Sequence, residues 1–389
     1  MHVNIRRNKF FDVLIKLKEN LLKYLCCPLC EENLILSIYL KKGIEIVDGL
    51  LKCEKCKGQY FIIDGIPRFI KKHYFNNLSS YNSFLRKYKI DLNGDAYEIK
   101  GIEGIENSKL DDLKVKTSSY FGYEWQYFNE WGWISEVALT DEERKYDYRG
   151  GIIADTEAAF INKCMLEVDD LEKGNLVLDA GCGNGRYTHQ AAKYGAEVIG
   201  VDLGHGVASA YEHLKNAENI HIVQGDLFSL PFKRNIFDAA FSNGVLMHTG
   251  NAKEAFCSIT KYIKVNGVFA VHLYHKRNWI FEIVDGMMRY FTTKLSIENN
   301  LRFAKVMANW GKRLMKNGKW ENYFQYIEVL PTLHHMYDWY SAPIATHHTY
   351  PEVKKWFNEM GFDVIRTNEP EKITLMNKPE SLTLKGKKK

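Results

Sequence analysis

The segment that decides the fold is Leu176–Arg186, which reads LVLDAGCGNGR. A short apolar run, typical of a buried strand, leads into three glycines at alternate positions, Gly181, Gly183 and Gly185, and a helical pattern follows. Glycine lets the backbone turn tightly and approach a ligand closely. In doubly wound α/β folds, ligands bind in the crevice beyond the carboxyl ends of the strands. The segment therefore predicts a ligand-binding loop at that edge of a sheet.

Strand and helix patterns alternate after this loop. The predicted strands are Leu176–Asp179, Glu197–Asp202, Ile220–Gln224, Phe237–Ser242, Gly267–Tyr274, Phe362–Thr367 and Ile373–Met376. Strands separated by helices favour a mostly parallel sheet that is covered by helices on both faces. We therefore expect an α/β protein with a doubly wound, mostly parallel, seven-stranded sheet.

Three acids near the strand ends indicate the ligand. Asp179 precedes the first glycine by two residues, where a carboxylate would repel a pyrophosphate and favour a ligand with an ammonium and a sulfonium. Asp202 ends the second strand, where a carboxylate accepts hydrogen bonds from ribose hydroxyls. Asp226 follows the third strand and can accept a hydrogen bond from an adenine amine, with Leu227 against the ring. Arg186 occupies the place of the third glycine of a dinucleotide site. S-adenosylmethionine is the predicted ligand.

Residues 151–275 resemble the class I methyltransferases, in their small-molecule-type branch. The stretch Phe237–His248, FDAAFSNGVLMH, is similar to that family's motif at the fourth strand. The turn Tyr262–Gly267 is similar to the one before its fifth strand, although Val265-Asn266 replaces the common Pro-Gly. The resemblance implies a Rossmann-like methyltransferase that uses S-adenosylmethionine. The predicted cofactor-binding residues are Asp179, Gly181, Gly183, Gly185, Asp202, Asp226, Leu227, Asn243, Phe121 and Trp125.

Two Cys-x-x-Cys pairs predict a metal site in the N-terminal part of the chain. Cys27 and Cys30 are followed, after 22 residues, by Cys53 and Cys56. Each pair can present two thiolates from one tight turn, so that two turns complete a tetrahedron of zinc ligands. The adjacent Cys26 is an alternative to Cys27, whose spacing fits better. Because no export signal is expected, these pairs are predicted to hold a structural zinc ion rather than disulfides.

The segment Cys27–Phe69 resembles the zinc-ribbon domain of methyltransferase activator subunits, with Gln59–Pro67, QYFIIDGIP, in the matching stretch. The resemblance implies a zinc-ribbon fold and an association with a methyltransferase. It implies no substrate, because free-standing relatives of this domain pair with enzymes that modify tRNA, rRNA and translation factors.

The chain divides into five predicted regions: an amphipathic helix at 1–20, a zinc ribbon at 21–72, an aromatic cap or linker at 73–150, the methyltransferase domain at 151–376 and a basic, disordered tail at 377–389. The helix is expected to pack on the protein, with membrane contact as the alternative. Apolar residues at helical spacing in 276–330 predict a helical insert. This insert and the aromatic segment Tyr120–Trp133 are expected to form a lid over the C-terminal edge of the sheet.

Methyl transfer is a displacement at a carbon that the sulfonium already activates, so alignment and exclusion of water matter most. A general base is needed only if the acceptor is protonated in the ground state. The candidate catalytic residues are His248, Tyr274, Asp338 and His347, and a structural role is the alternative for each.

The acceptor is less well determined. The Asn/Asp-Pro-Pro-aromatic box of adenine and glutamine methyltransferases is replaced by Ser242–Val245, SNGV. This favours a small-molecule, glycan or lipid-precursor acceptor. RNA, either tRNA or rRNA, stays as an alternative because the insert carries a set of basic residues, namely Arg302, Lys305, Lys312, Arg313 and Lys316. A catalytically silent binding subunit is the other alternative.

Bulk properties restrict the setting only loosely. The net charge of +5 permits an anionic substrate without requiring one. No stretch approaches the ~20 apolar residues that a membrane-spanning helix needs, and no signal peptide is recognisable. We therefore expect a cytoplasmic enzyme, whose acceptor atom and oligomeric state the sequence leaves open.

Overall fold

The computed structural model describes residues 20–43, 45–71, 74, 79–90, 108–135, 138, 152–317, 331–371 and 381–389. The strands are β1 (Leu34–Lys42), β2 (Glu45–Cys53), β3 (Gln59–Ile63), β4 (Ile66–Phe69), β5 (Leu176–Ala180), β6 (Glu197–Asp202), β7 (Ile220–Gly225), β8 (Phe237–Asn243), β9 (Ile263–Tyr274), β10 (Phe362–Thr367) and β11 (Ser381–Lys388). The helices are α1 (Ser79–Tyr88), α2 (Ser108–Tyr127), α3 (Ile153–Cys164), α4 (Arg186–Ala192), α5 (Val207–Leu214), α6 (Ala252–Thr260), α7 (Trp279–Thr292), α8 (Ile297–Lys316), α9 (Leu333–Ser341) and α10 (Tyr350–Glu359). Among the described residues, none of these helices combines the length and the apolar character that crossing a membrane requires.

One sheet runs through the described part of the chain in the order β1-β2-β3-β4-β7-β6-β5-β8-β9-β11-β10. The run from β7 to β9 is parallel. Successive residues of β5 point to opposite faces, since Leu178 belongs to one buried apolar cluster and Val177 to another. The Rossmann-like α/β prediction is confirmed. The prediction of seven strands was wrong, because the sheet has eleven.

The four additional strands come from the cysteine-containing segment, whose antiparallel hairpins extend the sheet instead of forming a separate body. Strand β4 pairs in parallel with β7, with Arg68 opposite Gln224. Tyr60 and Phe69 belong to the same buried cluster as Val223. The ribbon and the central sheet therefore share one apolar core, a continuity that periodicity within either segment could not reveal.

The end of the chain corrects another prediction. Ser381–Lys388 is not a disordered tail but strand β11, which lies between β9 and β10 and runs antiparallel to both. Leu382 and Leu384 are fully buried, and the buried Lys385 places its Nζ 2.6 Å from Asp170 Oδ2. Sequence reasoning failed because the lysines outnumber the leucines, although each lysine can bury its stem and pair its charge. The predicted strand at 373–376 lies outside the described residues, as does nearly all of the predicted helix at 1–20.

A second layer of helices covers the carboxyl ends of the strands. Helices α2, α8 and α9 share a buried cluster that includes Tyr120, Ala304 and Tyr337. Helix α9 begins at Thr332, whose Oγ1 accepts a hydrogen bond from the backbone N–H of His335 at 3.1 Å. Helix α7 begins in the same way at Asn278. Because the helices pack on each other, this layer forms a roof above the sheet edge.

Candidate active-site cleft and cysteine cluster

A cleft of about 980 Å³ opens between the carboxyl ends of β5, β6, β7 and β8 and the helical roof. Helix α2 contributes Phe121 and Trp125 to its lining, and α9 contributes Asp338. No described residue of α7 or α8 lines it. The aromatic segment therefore covers the cleft directly, whereas the described part of the predicted lid, 276–317, stands behind α2 and α9.

The glycine loop forms the floor of the cleft. Gly181 and Gly183 have φ angles of +104° and +54°, in the left-handed region that favours glycine. A Cβ at Gly181 would overlap the side chain of Val245, and one at Gly183 would lie 2.9 Å from Trp125 Nε1. Gly185 does not line the cleft; a Cβ there would lie 2.5 Å from Leu214 Cδ1, so this glycine lets α4 pack against α5.

Asp202 ties the two loops at the head of the cleft together. Its carboxylate accepts hydrogen bonds from the backbone N–H of Gly183 at 3.0 Å and from that of Gly204 at 2.7 Å. Burial raises the pKa of Asp202, and these backbone donors oppose the rise. Asp226 and Leu227 line the adjoining wall, as the sequence predicted. The two acids therefore follow neighbouring strands and face one space.

Asp179 is placed differently from the sequence prediction. Its side chain is 1% exposed, accepts a hydrogen bond from Thr188 Oγ1 at 2.7 Å, and does not line the cleft. Burial raises its pKa to about 7. The physical reason is the alternation of strand β5, which turns this side chain toward α4 instead of toward a ligand. The Asp179 side chain therefore contacts helix α4 and does not reach the cleft.

Polar and aromatic groups line the remaining cofactor side. Asn243, at the end of β8, lines the cleft, and its buried Nδ2 has no hydrogen-bond partner among the described residues. The Arg186 guanidinium lies 5.2 Å from the centre of the Trp125 ring. A buried donor without a partner is costly, so Asn243 is suited to a ligand that supplies an acceptor.

Among the candidate catalytic residues, His248 is placed to contact a ligand in the cleft. It lines the cleft, and its ring lies 4.8 Å from that of Phe121. Its Nδ1 lies 2.5 Å from the carbonyl oxygen of Ile344. Because a carbonyl can only accept, the proton is on Nδ1 and the Nε2 lone pair is available to accept a hydrogen bond. Burial lowers the pKa of His248 to about 3, so the imidazole is neutral at physiological pH.

Tyr274 and His347 do not line the cleft. The Tyr274 ring stacks on Trp339 at 4.3 Å and meets His248 edge-on at 5.5 Å. His347 Nδ1 lies 2.7 Å from Glu282 Oε2 on α7. Both residues stand behind His248, where they support its ring and anchor the roof.

Asp338 lines the cleft, and near it lies a buried acid, Glu124, that the sequence analysis did not single out. Glu124, on α2, is 0% exposed, and burial followed by the negative charge of Asp338 raises its pKa well above the usual range. His334 Nε2 lies 3.1 Å from Glu124 Oε1, close enough for an ion pair but not aligned for a hydrogen bond. The His334 ring stacks on Trp131 at 4.0 Å. The one sequence signal was a carboxylate inside the aromatic run Tyr120–Phe128.

The four cysteines come together where β2 ends and β3 begins. The Sγ atoms of Cys27, Cys30, Cys53 and Cys56 all lie within 4.8 Å of one another. The closest pairs, Cys27–Cys56 and Cys30–Cys53, are each 3.4 Å apart. Zinc–sulfur bonds of about 2.3 Å in a tetrahedron place sulfurs about 3.8 Å apart, so the donor set fits that ion. The adjacent Cys26 is not part of the cluster, and its backbone N–H donates to Pro231 instead.

The cysteine turns are built alike. The residue after each second cysteine, Glu31 or Lys57, has a positive φ, +61° and +63° respectively. The backbone N–H of Glu31 donates to the Cys27 carbonyl at 2.8 Å, which closes the first turn. Two copies of one turn thus aim four thiols at a common point.

Comparison with known proteins decides the family. The family described as "Methyltransferase domain" matches residues 178–271, which include the glycine loop and His248. A demethylmenaquinone methyltransferase from Staphylococcus carnosus is 30% identical over 164 residues, which are 41% of this chain and 67% of that protein. The chain belongs to the class I S-adenosylmethionine-dependent methyltransferases. The Rossmann-like sheet and the cleft at its carboxyl edge are those of this family.

The names of other relatives specify different methyl acceptors. A sterol 24-C-methyltransferase from Saccharomyces cerevisiae is 25% identical over 52% of each chain. A tRNA (carboxymethyluridine(34)-5-O)-methyltransferase from Arabidopsis thaliana is 27% identical over 46% of this chain and 42% of that one. A solved magnesium protoporphyrin IX methyltransferase from Synechocystis shares 15% identity, with a TM-score of 0.42 over 72% of this chain and 99% of that one. The chain spans about half the length of the first curated relatives it matches.

The cleft of this methyltransferase fits its cofactor. Asp202 presents a carboxylate beside the glycine loop, Asp226 and Leu227 line the next wall, and Asn243 offers a donor that lacks a protein partner. The close approach of Gly183 to Trp125 leaves an aromatic ring beside the loop. Acid, amide and aromatic groups are the types that a nucleoside with a sulfonium requires.

Proposed function

We propose that this methyltransferase transfers a methyl group from S-adenosylmethionine to a small-molecule, glycan or lipid-precursor acceptor that enters the cleft beside His248. The observation that carries the proposal is the neutral His248 ring, whose Nε2 lone pair is held next to Phe121 at the rim of the cofactor wall. The neutral His248 ring and the Phe121 ring beside it suit an uncharged acceptor better than a phosphate backbone.

The residues divide the work as follows. The cofactor supplies a methyl group on a positively charged sulfur. In this proposal Asp202 holds the ribose hydroxyls, Asp226 holds the adenine amine, and the faces of Phe121 and Trp125 stabilise the positive charge. His248 orients an acceptor hydroxyl or amine by accepting its hydrogen bond at Nε2. Because its pKa is about 3, His248 orients the acceptor and does not retain a proton.

Asp338 is the proposed proton acceptor when the acceptor group is protonated. It lines the cleft, and burial raises its pKa above the usual range of an aspartate. A carboxylate whose pKa lies closer to neutrality is a better general base at neutral pH. Glu124 is buried near Asp338, and burial and the negative charge of Asp338 raise the pKa of Glu124, which favours its neutral form.

Transfer of a deuterated methyl group tests this proposal. The protein is incubated with deuteromethyl S-adenosylmethionine and, in parallel, with metabolite, lipid and RNA fractions of a cell extract. We expect a mass-shifted product in the metabolite or lipid fraction. Label only in RNA would favour the alternative suggested by the exposed Arg302, Lys305 and Arg313 on α8. Cofactor binding without label in any fraction would indicate a silent binding subunit.

We also propose that the cysteine cluster holds one structural zinc ion and that the ribbon supports the cofactor loop. The ribbon residue Arg68 is 2% exposed and donates from Nη1 to Gln224 Oε1 at 2.6 Å. Gln224 in turn donates from Nε2 to the Leu203 carbonyl at 3.0 Å, next to Asp202. This contact supports a role for the ribbon as a built-in counterpart of an activator subunit.

Metal analysis tests the zinc proposal. One zinc per chain is expected, and Cys53→Ser should lose it, since a site with three thiolates binds far more weakly. Cys257→Ser, at a partly buried cysteine outside the cluster, is the matched control and should retain it. Wild-type protein without zinc, or an unchanged zinc content in Cys53→Ser, would contradict the proposal.

A further inference from the structure

Helix α7 presents an apolar surface to solvent. Its exposed positions are Trp279, Ile280, Ile283, Gly286, Met287, Tyr290 and Phe291. Trp279 is 72% exposed, Met287 59% and Phe291 62%. Within α7, which is described in full, no charged side chain is exposed. A helix that only packs on its own protein has the opposite distribution, with its polar residues outward.

The charged residues of α7 face inward and set its rotation. Arg289 Nε donates to Asp285 Oδ2 at 2.7 Å, and both residues are buried. Trp339 Nε1, on α9, donates to Asp285 Oδ1 at 2.7 Å. Glu282 Oε2 lies 2.7 Å from His347 Nδ1. These three polar contacts hold the helix in one orientation, so the apolar face points outward as a consequence of the fold.

Basic residues flank α7 along the chain, and the Lys294 ammonium lies over the exposed Tyr290 ring. Lys276 precedes α7 and Lys294 follows it, and both are exposed. The neighbouring helix α8 adds the exposed Arg302, Lys305 and Arg313. Residues 276–316 contain nine lysines and arginines and three acids. Two of these acids, Glu282 and Asp285, are engaged on the inner side of α7. The insert therefore carries an excess of positive charge, with an exposed lysine beyond each end of the apolar face.

We propose that this face docks on the surface of a membrane that contains anionic lipids. A helix of 14 residues is about 21 Å long, so α7 is too short to span a bilayer and would lie in its interface. Trp279 at its first turn and Tyr290 at its last are the residue types that favour the lipid–water boundary. An apolar face bordered by lysine and arginine is the arrangement that anionic membranes bind.

Docking would bring the membrane close to the active-site cleft. Helix α9 lies between the two, since its Trp339 bonds to Asp285 of α7 while its Asp338 lines the cleft. The proposal goes beyond the methyl-transfer function, because the docking face contains no residue of the cleft. Vesicle binding can therefore be measured without cofactor or acceptor.

Cosedimentation with lipid vesicles tests the proposal on the full chain. Wild-type protein should bind vesicles of equal phosphatidylglycerol and phosphatidylcholine at least tenfold more tightly than vesicles of phosphatidylcholine alone. The difference should shrink in 0.5 M salt, which screens surface charge. The triple variant Trp279→Ser/Met287→Ser/Phe291→Ser should lose at least tenfold in affinity for the anionic vesicles.

The control removes equally exposed apolar side chains elsewhere. Val265 and Ile365 are 62% and 52% exposed and lie outside the insert. The double variant Val265→Ser/Ile365→Ser should bind vesicles as the wild type does. Thermal melting of each variant checks that the fold is kept.

Two results would overturn the proposal. The first is wild-type binding to anionic vesicles that is no tighter than binding to neutral ones, or a triple variant that binds as well as wild type. The second is a wild-type dimer by light scattering that the triple variant converts to a monomer, without vesicle binding by either. That result would assign the face to a second copy of this chain.

Discussion

The two walls of the cleft hold their polar groups in different ways. The cofactor wall, at the ends of β5 to β8, ties Asp202 to two backbone N–H groups. The cap wall, formed by α2 and α9, buries Glu124 against His334, and within the described ranges neither carboxylate oxygen has an aligned hydrogen bond. Backbone donors stabilise a charged carboxylate, whereas burial without them favours the neutral form. The comparison teaches that backbone donors oppose the rise in the pKa of Asp202, whereas no backbone donor in the described part of the chain opposes the rise in the pKa of Glu124.

The largest effect is expected from removing the charge of the cofactor wall. Asp202→Ala should weaken S-adenosylmethionine binding by about ten- to a hundredfold, because a hydrogen-bonding charged group contributes about 1.5–3 kcal/mol. Isothermal calorimetry measures the change. Asp363→Ala removes a carboxylate that is 64% exposed at the edge of the sheet, and it should bind the cofactor normally. Equal affinity in both variants would deny Asp202 its role.

A smaller effect is expected where the two walls meet. His248→Phe keeps the ring volume but removes the Nε2 acceptor, so kcat should fall roughly tenfold, the value of about one hydrogen bond. Cofactor affinity should change little. Because the pKa of His248 is about 3, the wild-type rate should show no step near pH 6.5 that the variant lacks. Such a step would mean that His248 titrates and acts as a base.

In the cap wall, ionisation of Glu124 should affect the stability of the protein. The folded-state pKa of Glu124 is raised above its unfolded value of about 4.3, so ionisation opposes folding as the pH rises above that value. Glu124→Gln removes this ionisation. Relative to wild type, the free energy of unfolding of the variant should therefore rise between pH 5 and pH 8. Urea unfolding at both pH values measures it, with the exposed Glu130→Gln as control.

The smallest effect on ligand binding is expected at Asp179. Asp179→Asn can still accept the hydrogen bond of Thr188, and its side chain does not line the cleft. Cofactor affinity should therefore fall by less than about threefold, below one typical hydrogen bond. Since the folded-state pKa is about 7 and the unfolded value about 3.9, wild-type stability should decline between pH 4 and pH 7 relative to the variant. A loss of affinity as large as that of Asp202→Ala would indicate that Asp179 contacts the cofactor directly.

The sequence was sufficient to predict those features that depend on residues close together in the chain. The glycine loop, the acids Asp202 and Asp226, and the meeting of Cys27, Cys30, Cys53 and Cys56 were all predicted. Each rests on a short spacing that fixes a turn or a strand end. The contact partner of Asp179 was not predicted from the sequence. A carboxylate at the end of a strand can face either a ligand or a neighbouring helix, and the sequence does not distinguish the two; in the structure it accepts a hydrogen bond from Thr188 of α4.

The sequence by itself determined the Rossmann-like α/β fold, the glycine loop at the cleft and the clustering of the four thiols, because glycine conformation, strand alternation and Cys-x-x-Cys turns act within a few residues. Only the tertiary structure decided that the ribbon and the lysine-rich end join one sheet, and that Glu124 is buried beside Asp338. It alone showed that α7 turns its apolar face outward, since a helical period reveals that two faces differ but not which one the rest of the chain covers.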